Sequence, residues 1–180
     1  MHNVENIMAA ISAVMPEVSA DAISHVAQTF EGVEHRVEFV REVDGVLFYN
    51  DSIGSSPTRT SASIKSFNQK VVLIAGGYDK NLSYDEMGEV LHNHASALVL
   101  MGDTAHKIEQ AYRKYTDAVG VEPVPIIRVS GMEAAVKEAF SIAGGGGIVL
   151  LSPASASFDM YANFMERGNH FKSIVNSLGR

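Results

Sequence analysis

KVVLIAGGYDKN, residues 70–81, decides the fold. Val71–Ala75 is an unbroken apolar run closed by Gly76 and Gly77. A strand with one wet face alternates apolar and polar residues. A strand with no polar position is covered on both faces, as in a parallel sheet. The same signature returns in ALVLMG (97–102) and GIVLLSP (147–153). Helical segments lie between these runs. Ser83 and Glu86 are spaced as a capping box for a helix through about Asn93, and residues 104–115 read as a second helix. Ser130 and Glu133 are spaced as the box of a third, ending at Ala143. PVPIIRV (123–129) is a strand whose leading prolines suit a sheet edge. A last helix is expected over residues 159–178, broken near Gly168. Strands and helices in alternation make an α/β domain, with a mostly parallel sheet flanked by helices.

Working towards the N-terminus, Pro57 suits the first turn of a helix. Val37–Val43 and Val46–Tyr49 alternate around Asp44-Gly45, which predicts a hairpin. Before Gly32 the pattern is helical. Val4, Ile7, Met8, Ile11 and Val14 share one face, Pro16 is the expected stop, and Ser19 is the expected N-cap of a helix through Phe30. Two helices this short bury little surface alone. They are expected to lack their packing partner, to expose apolar faces and to self-associate.

Composition excludes several functions. A net charge of -7 argues against a general nucleic-acid or anionic-membrane surface, although it says nothing about a local cationic pocket. The absence of cysteine removes disulfides, thiolate metal sites and cysteine nucleophiles together. Residues 1–18 lack the basic start and apolar run of a signal peptide. No stretch approaches the roughly 20 apolar residues of a membrane span. The expectation is a soluble cytoplasmic protein with no membrane and no nucleic-acid partner.

In an open parallel sheet, ligands bind beyond the carboxyl ends of the strands. Four polar loops are expected on that rim: residues 50–56 (NDSIGSS), 76–81 (GGYDKN), 102–104 (GDT) and 152–159 (SPASASFD). Together they offer Lys80, several hydroxyls and backbone N–H groups, an inventory suited to a small ligand with more than one carboxylate. Taken singly, each is also ordinary loop chemistry. His35-Arg36 reads as a solvated edge pair. His92 and His94, two apart on a helix, point away from each other and make no metal pair. No metal site and no nucleophile elbow G-x-S-x-G is present, and neither G-x-x-x-x-G-K-[ST] nor G-x-G-x-x-G occurs. The chain therefore shows no recognisable motif for holding a nucleoside triphosphate.

Five stretches occur in one order over nearly the whole chain: HNVENIMAA (2–10), HRVEF (35–39), YNDSIGSSPTRT (49–60), GGYDKN (76–81) and LSPASASFDMYANFMERGNHF (151–171). Each alone is moderately specific. In this succession they resemble the Mur ligases, and among them the branch that uses D-glutamate. The resemblance implies a Rossmann-like C-terminal domain over residues 33–180, preceded by the last helices of a central ATPase domain over residues 1–32. It implies a fragment, inactive alone, of an ATP- and Mg2+-dependent ligase acting on UDP-N-acetylmuramoyl-L-alanine. Lys80, Ser55, Ser157, Phe158 and Phe164 would then hold D-glutamate. Asn3, Asn6, Arg36 and Asp51 would approach the nucleotide. No catalytic residue is expected within the chain. One loop departs from the family pattern: where many members carry lysine and threonine, this chain has Ile53 and Ser55, so a hydroxyl is kept and a cation lost. The alternatives are a related Mur or folylpolyglutamate-type ligase domain, and a free-standing, non-catalytic binding module.

Overall fold

In a computed structural model the described residues are 2–15, 17–30 and 32–179, with side chains from residue 7 onward. The chain divides into two compact units, Met1–Val33 and Glu34–Arg180. The first holds α1 (His2–Val14) and α2 (Ala20–Thr29). Pro16, the expected stop of α1, lies outside the described residues. Ser19 caps α2, its Oγ accepting the Ala22 N–H at 3.3 Å. No side chain of α2 is buried, and Met8, Val14, Met15, Val18, Val26 and Phe30 are all exposed.

The second unit is built on one sheet. Its elements are β1 (Glu38–Val43), β2 (Val46–Asn50), α3 (Pro57–Lys65), β3 (Val71–Ala75), α4 (Gly88–His94), β4 (Ala95–Leu100), α5 (Ala105–Val119), β5 (Ile126–Arg128), α6 (Met132–Ala143), β6 (Ile148–Leu151) and α7 (Phe164–Ser177). The strand order is β1-β2-β6-β3-β4-β5. Only β1 is antiparallel, joined to β2 through Asp44 (φ 48°) and Gly45 (φ 78°). Left-handed backbone at both residues is what a tight hairpin demands. From β2 to β3, β4 and β5 the chain steps in one direction across the sheet, then returns to place β6 between β2 and β3. Right-handed crossovers therefore put α3, α4 and α5 on one face and α6 on the other. Residues of α3, α4 and α5 share one core, including Ile64, Leu91, Ile108 and Tyr112. Residues of α6 and α7 share the second, including Val136, Phe171 and Val175. The unbroken apolar run is explained directly: Val71, Leu73 and Ala75 enter the first core and Val72 and Ile74 the second.

Several local expectations are corrected. Neither capping box forms. Ser83 Oγ bonds the N–H and carboxylate of Asp85, and a 3-10 turn (Asp85–Met87) precedes α4. Ser130 lies one residue too early, because the cap of α6 is Gly131, which has no side chain to offer. In this unit a side chain caps α7 instead, where Asn163 Oδ1 accepts the Glu166 N–H at 2.9 Å. It begins at Phe164 rather than residue 159 and runs unbroken through Gly168. That glycine makes room instead of a break: a Cβ there would fall 2.3 Å from His35 Nδ1. The second helix, α5, runs a turn further than expected, to a left-handed cap at Gly120. β5 is a three-residue edge strand.

Gly76 is the least replaceable glycine. At φ 107° a Cβ would lie 1.9 Å from the Met101 carbonyl oxygen, and the Gly76 N–H is tied to the Pro153 carbonyl at 2.8 Å. Gly76→Ala is expected to cost about 3 kcal/mol or more, summing a left-handed alanine and an overpacked backbone contact. Gly120→Ala, left-handed but with nothing within 4 Å, is expected to cost only about 1 kcal/mol. Urea midpoints of the two variants check this ordering.

Candidate functional site

Sheet topology sets the place of the site. After β2 and β3 the chain leaves towards α3 and α4 on one face, and after β6 it leaves towards α7 on the other. Neighbouring loops that part in this way open a crevice at the carboxyl ends of the strands. β6 lies between β2 and β3, so the loops 50–56, 76–81 and 152–159 gather around it.

These loops are joined by buried polar groups. The largest is Arg167 of α7, which is fully buried. Its Nε donates to Ser52 Oγ at 3.0 Å and its Nη2 to the Ser52 carbonyl at 2.8 Å. Its Nη1 donates to the carbonyls of Ser155 and Ala156, both at 3.0 Å. One planar cation thus fastens the loop after β2 to the loop after β6. Burial pulls its pKa down to about 10, which leaves it charged at neutral pH. Sequence reading missed this residue. The available signal was position: Arg167, Phe171 and Val175 recur at helical spacing on the core face of α7.

Asp51 is the buried acid of the same cluster. Its Oδ2 accepts the Ser152 hydroxyl at 2.7 Å and its Oδ1 the Val37 N–H at 3.3 Å. Burial raises its pKa against the lowering effect of these bonds. Thr60 Oγ1 lies 2.9 Å from Ser152 Oγ and accepts the Ala154 N–H at 3.0 Å. A second hydroxyl chain, also missed, joins Tyr84, Ser155 and Thr104, each step 2.8 Å. Thr104 in turn accepts the Gly77 N–H at 3.1 Å.

Lys80, Ser157 and Phe158 come together. The loops carrying them pair where the Tyr78 N–H donates to the Ala156 carbonyl at 2.9 Å. Lys80 Nζ lies 5.6 Å from the centre of the Phe158 ring, and Tyr78 meets that ring edge-on at 5.9 Å. Phe158 is 60% exposed, whereas Ser157 is buried beside it. Lys80 is exposed and, among the described residues, forms no ion pair. Ser55 follows Gly54, whose carbonyl accepts the Ala154 N–H at 2.9 Å, and is half-buried on this rim. Phe164 stands at the β2 side, its carbonyl accepting from Ser52 Oγ at 2.7 Å and its ring edge-on to His35 at 5.8 Å.

Of the residues expected near a nucleotide, two have described side chains. The side chains of Asn3 and Asn6 lie outside the described residues. Arg36 is partly exposed, while Asp51 is turned inward and already accepts two hydrogen bonds.

His35-Arg36 is not a solvated pair. His35 is buried with φ 63°, and Asn50 Nδ2 donates to its Nδ1 at 2.8 Å. Burial lowers its pKa. Among the described residues Glu34, His35 and Glu38 form the one cluster of metal-ligating type. Lys172 already fills it with an ammonium, 3.1 Å from Glu38 and paired with Glu34, so the donor set suits no further cation.

Replacing Arg167 by methionine strands the buried carbonyls of Ser52 and Ser155 and leaves that of Ala156 only the Tyr78 N–H, and lysine cannot reach all four acceptors. Arg167→Met is expected to destabilise by about 3 kcal/mol or more, with little rescue in Arg167→Lys. Thermal melts and amide shifts in loops 50–56 and 152–159 check this. Asp51 supplies a pH test. Its folded-state pKa lies above the ordinary 3.8, so folding favours the protonated form. That contribution is complete below pH 3.8 and is lost as pH rises through the raised value. The stability of the native chain minus that of Asp51→Asn is therefore expected to decline across this window. A flat difference would contradict it.

Comparison with known proteins now identifies the frame. Residues 35–155 match the Mur ligase, glutamate ligase domain. A UDP-N-acetylmuramoylalanine–D-glutamate ligase of Acetivibrio thermocellus is 56% identical over 179 residues, 99% of this chain and 38% of that protein. One of Clostridium beijerinckii is 52% identical over 178 residues, 99% of this chain and 39% of that protein. The chain therefore spans less than two-fifths of the length of these curated relatives. A crystal structure of a murein peptide ligase of Psychrobacter arcticus superposes with a TM-score of 0.59 at 15% identity, over 100% of this chain and 38% of that one, and shows the shared fold. The chain belongs to the Mur ligase family, through its glutamate ligase domain.

Proposed function

We propose that the chain is the amino-acid-binding part of an ATP-dependent, cytoplasmic ligase that joins D-glutamate to UDP-N-acetylmuramoyl-L-alanine in peptidoglycan synthesis. The observation that carries this reading is the Lys80 ammonium beside Ser157 and Phe158. A dicarboxylate needs a cation at one end and neutral donors at the other. Lys80 takes one carboxylate. The Ser157 hydroxyl and the Phe158 N–H take the second, with Ser55 and Phe164 bounding the pocket. The activity named for the relatives from Acetivibrio thermocellus and Clostridium beijerinckii supports the choice of D-glutamate.

Residues 33–180 form the amino-acid domain, and residues 1–32 are the last helices of a preceding ATPase domain, which would cover their exposed apolar side chains. In the whole enzyme ATP and Mg2+ supply activation of the acceptor carboxylate, and Asn3, Asn6 and Arg36 reach the nucleotide. Asp51 acts from behind, by holding the Val37 N–H and Ser152 in place. This chain contributes position. It holds the amino acid by its two carboxylates and leaves the amine clear for attack, and orientation of that kind can account for much of a rate enhancement. The chain alone binds without turning over.

Titration of isotope-labelled chain with D-glutamate is expected to move the amides of Lys80, Ser157 and Phe158. Binding should be near millimolar, about -4 kcal/mol, and weaker for L-glutamate. Equal response to both isomers, or none at these three residues, would overturn the assignment.

A further inference from the structure

We propose that Lys107 is a positioning residue for the amino-acid site: by pairing with Asp79 it leaves the charge of Lys80 available to an anionic ligand. This deepens the reading of Lys80 given above and rests on it. The loop 78–81 carries one acid and one base as neighbours, Asp79 and Lys80. Left to themselves, two such groups on an exposed loop neutralise each other, and a carboxylate ligand would have to compete with Asp79 for the ammonium. That does not occur. The Asp79 carboxylate is paired with Lys107 Nζ of α5, while Lys80 Nζ rests over the Phe158 ring. Lys107 also holds the Asp79 carboxyl below its usual range.

The partner is placed by the fold. Thr104, immediately before α5, is tied to Gly77 in both directions: its N–H donates to the Gly77 carbonyl at 3.0 Å, and its Oγ1 accepts the Gly77 N–H at 3.1 Å. The first turn of α5 is therefore docked on the start of the lysine loop, which brings Lys107 over Asp79. The other oxygen of Asp79 accepts the Asn81 N–H at 2.8 Å, and Asn81 is left-handed with φ 57°. Asp79 is thus a turn-forming residue whose oxygen is needed and whose charge is a hazard to the site. Lys107 cancels the hazard.

This separates an electrostatic role from a mechanical one. Asp79→Asn keeps the oxygen that closes the turn and removes the charge. The test is a D-glutamate titration, followed by amide shifts at Ser157 and Phe158, of the native chain and of K107M, K107R, D79N, K107M/D79N and K80M. K107M is expected to weaken binding about fivefold, the scale of one exposed charge contact, and K107R to leave it intact. The double variant K107M/D79N is expected to return to the native value. If K107M binds as the native chain does, or if D79N fails to rescue it, the inference is overturned. The result for K80M is separate. Loss of binding there supports the underlying reading, whereas native-like binding by K80M, or none by the native chain, removes that reading and this inference together.

Discussion

A guanidinium with no water around it is costly unless every direction in which it points offers an acceptor. Arg167 largely meets that condition, placing four of its five N–H bonds on peptide carbonyls and a hydroxyl, not on a facing carboxylate in direct contact. The consequence is geometric. A carbonyl belongs to the backbone, so bonding three of them positions the chain itself at Ser52, Ser155 and Ala156. The loop after β2 and the loop after β6 can each take many conformations alone. Tied to one rigid planar group they take one, and Ser55, Ser157 and Phe158 inherit their places from it.

Charge is distributed on this rim with a clear division of labour. Several acids of this rim are occupied, though Asp159 keeps a buried Oδ1 with no hydrogen-bond partner among the described residues. Asp51 is buried under a serine hydroxyl and a backbone N–H, Asp79 is taken by Lys107, and Glu34 and Glu38 share Lys172. What remains at the crevice mouth is a cation lying on an aromatic ring, a contact worth about 0.5–1 kcal/mol when exposed. A ligand carboxylate can displace so weak a contact at little cost. A net charge of -7 therefore does not preclude a local cation such as Lys80, because several neighbouring acids are engaged in ion pairs and hydrogen bonds.

Much of the fold was legible because its signals are local. The unbroken run at Val71–Ala75, the Asp44-Gly45 turn and the Ser19 cap each depend on a few neighbouring residues, and each element formed where expected. The capping boxes failed for a related reason. Spacing shows which bonds are possible, while the true start of each helix depends on its neighbours, as at Gly88, where a Cβ would lie 2.4 Å from Tyr115. Gly168 misled in the same way. In sequence it is a helix breaker; in the fold it is the space that admits the His35 ring.

The sequence by itself determined the class of fold, the succession of motifs that marks the family, and the loops that meet at the strand ends. Alternating periods and glycine-closed apolar runs are properties of the chain, readable one element at a time. Tertiary structure alone decided which charges are neutralised. Arg167 and Ser52 are 115 positions apart, Asp51 and Ser152 are 101, and Lys107 and Asp79 are 28. No local pattern connects such pairs. They meet because β6 inserts between β2 and β3 and because Thr104 docks α5 on Gly77, and it is there that Asp79 pairs with Lys107 while Lys80 rests on the Phe158 ring.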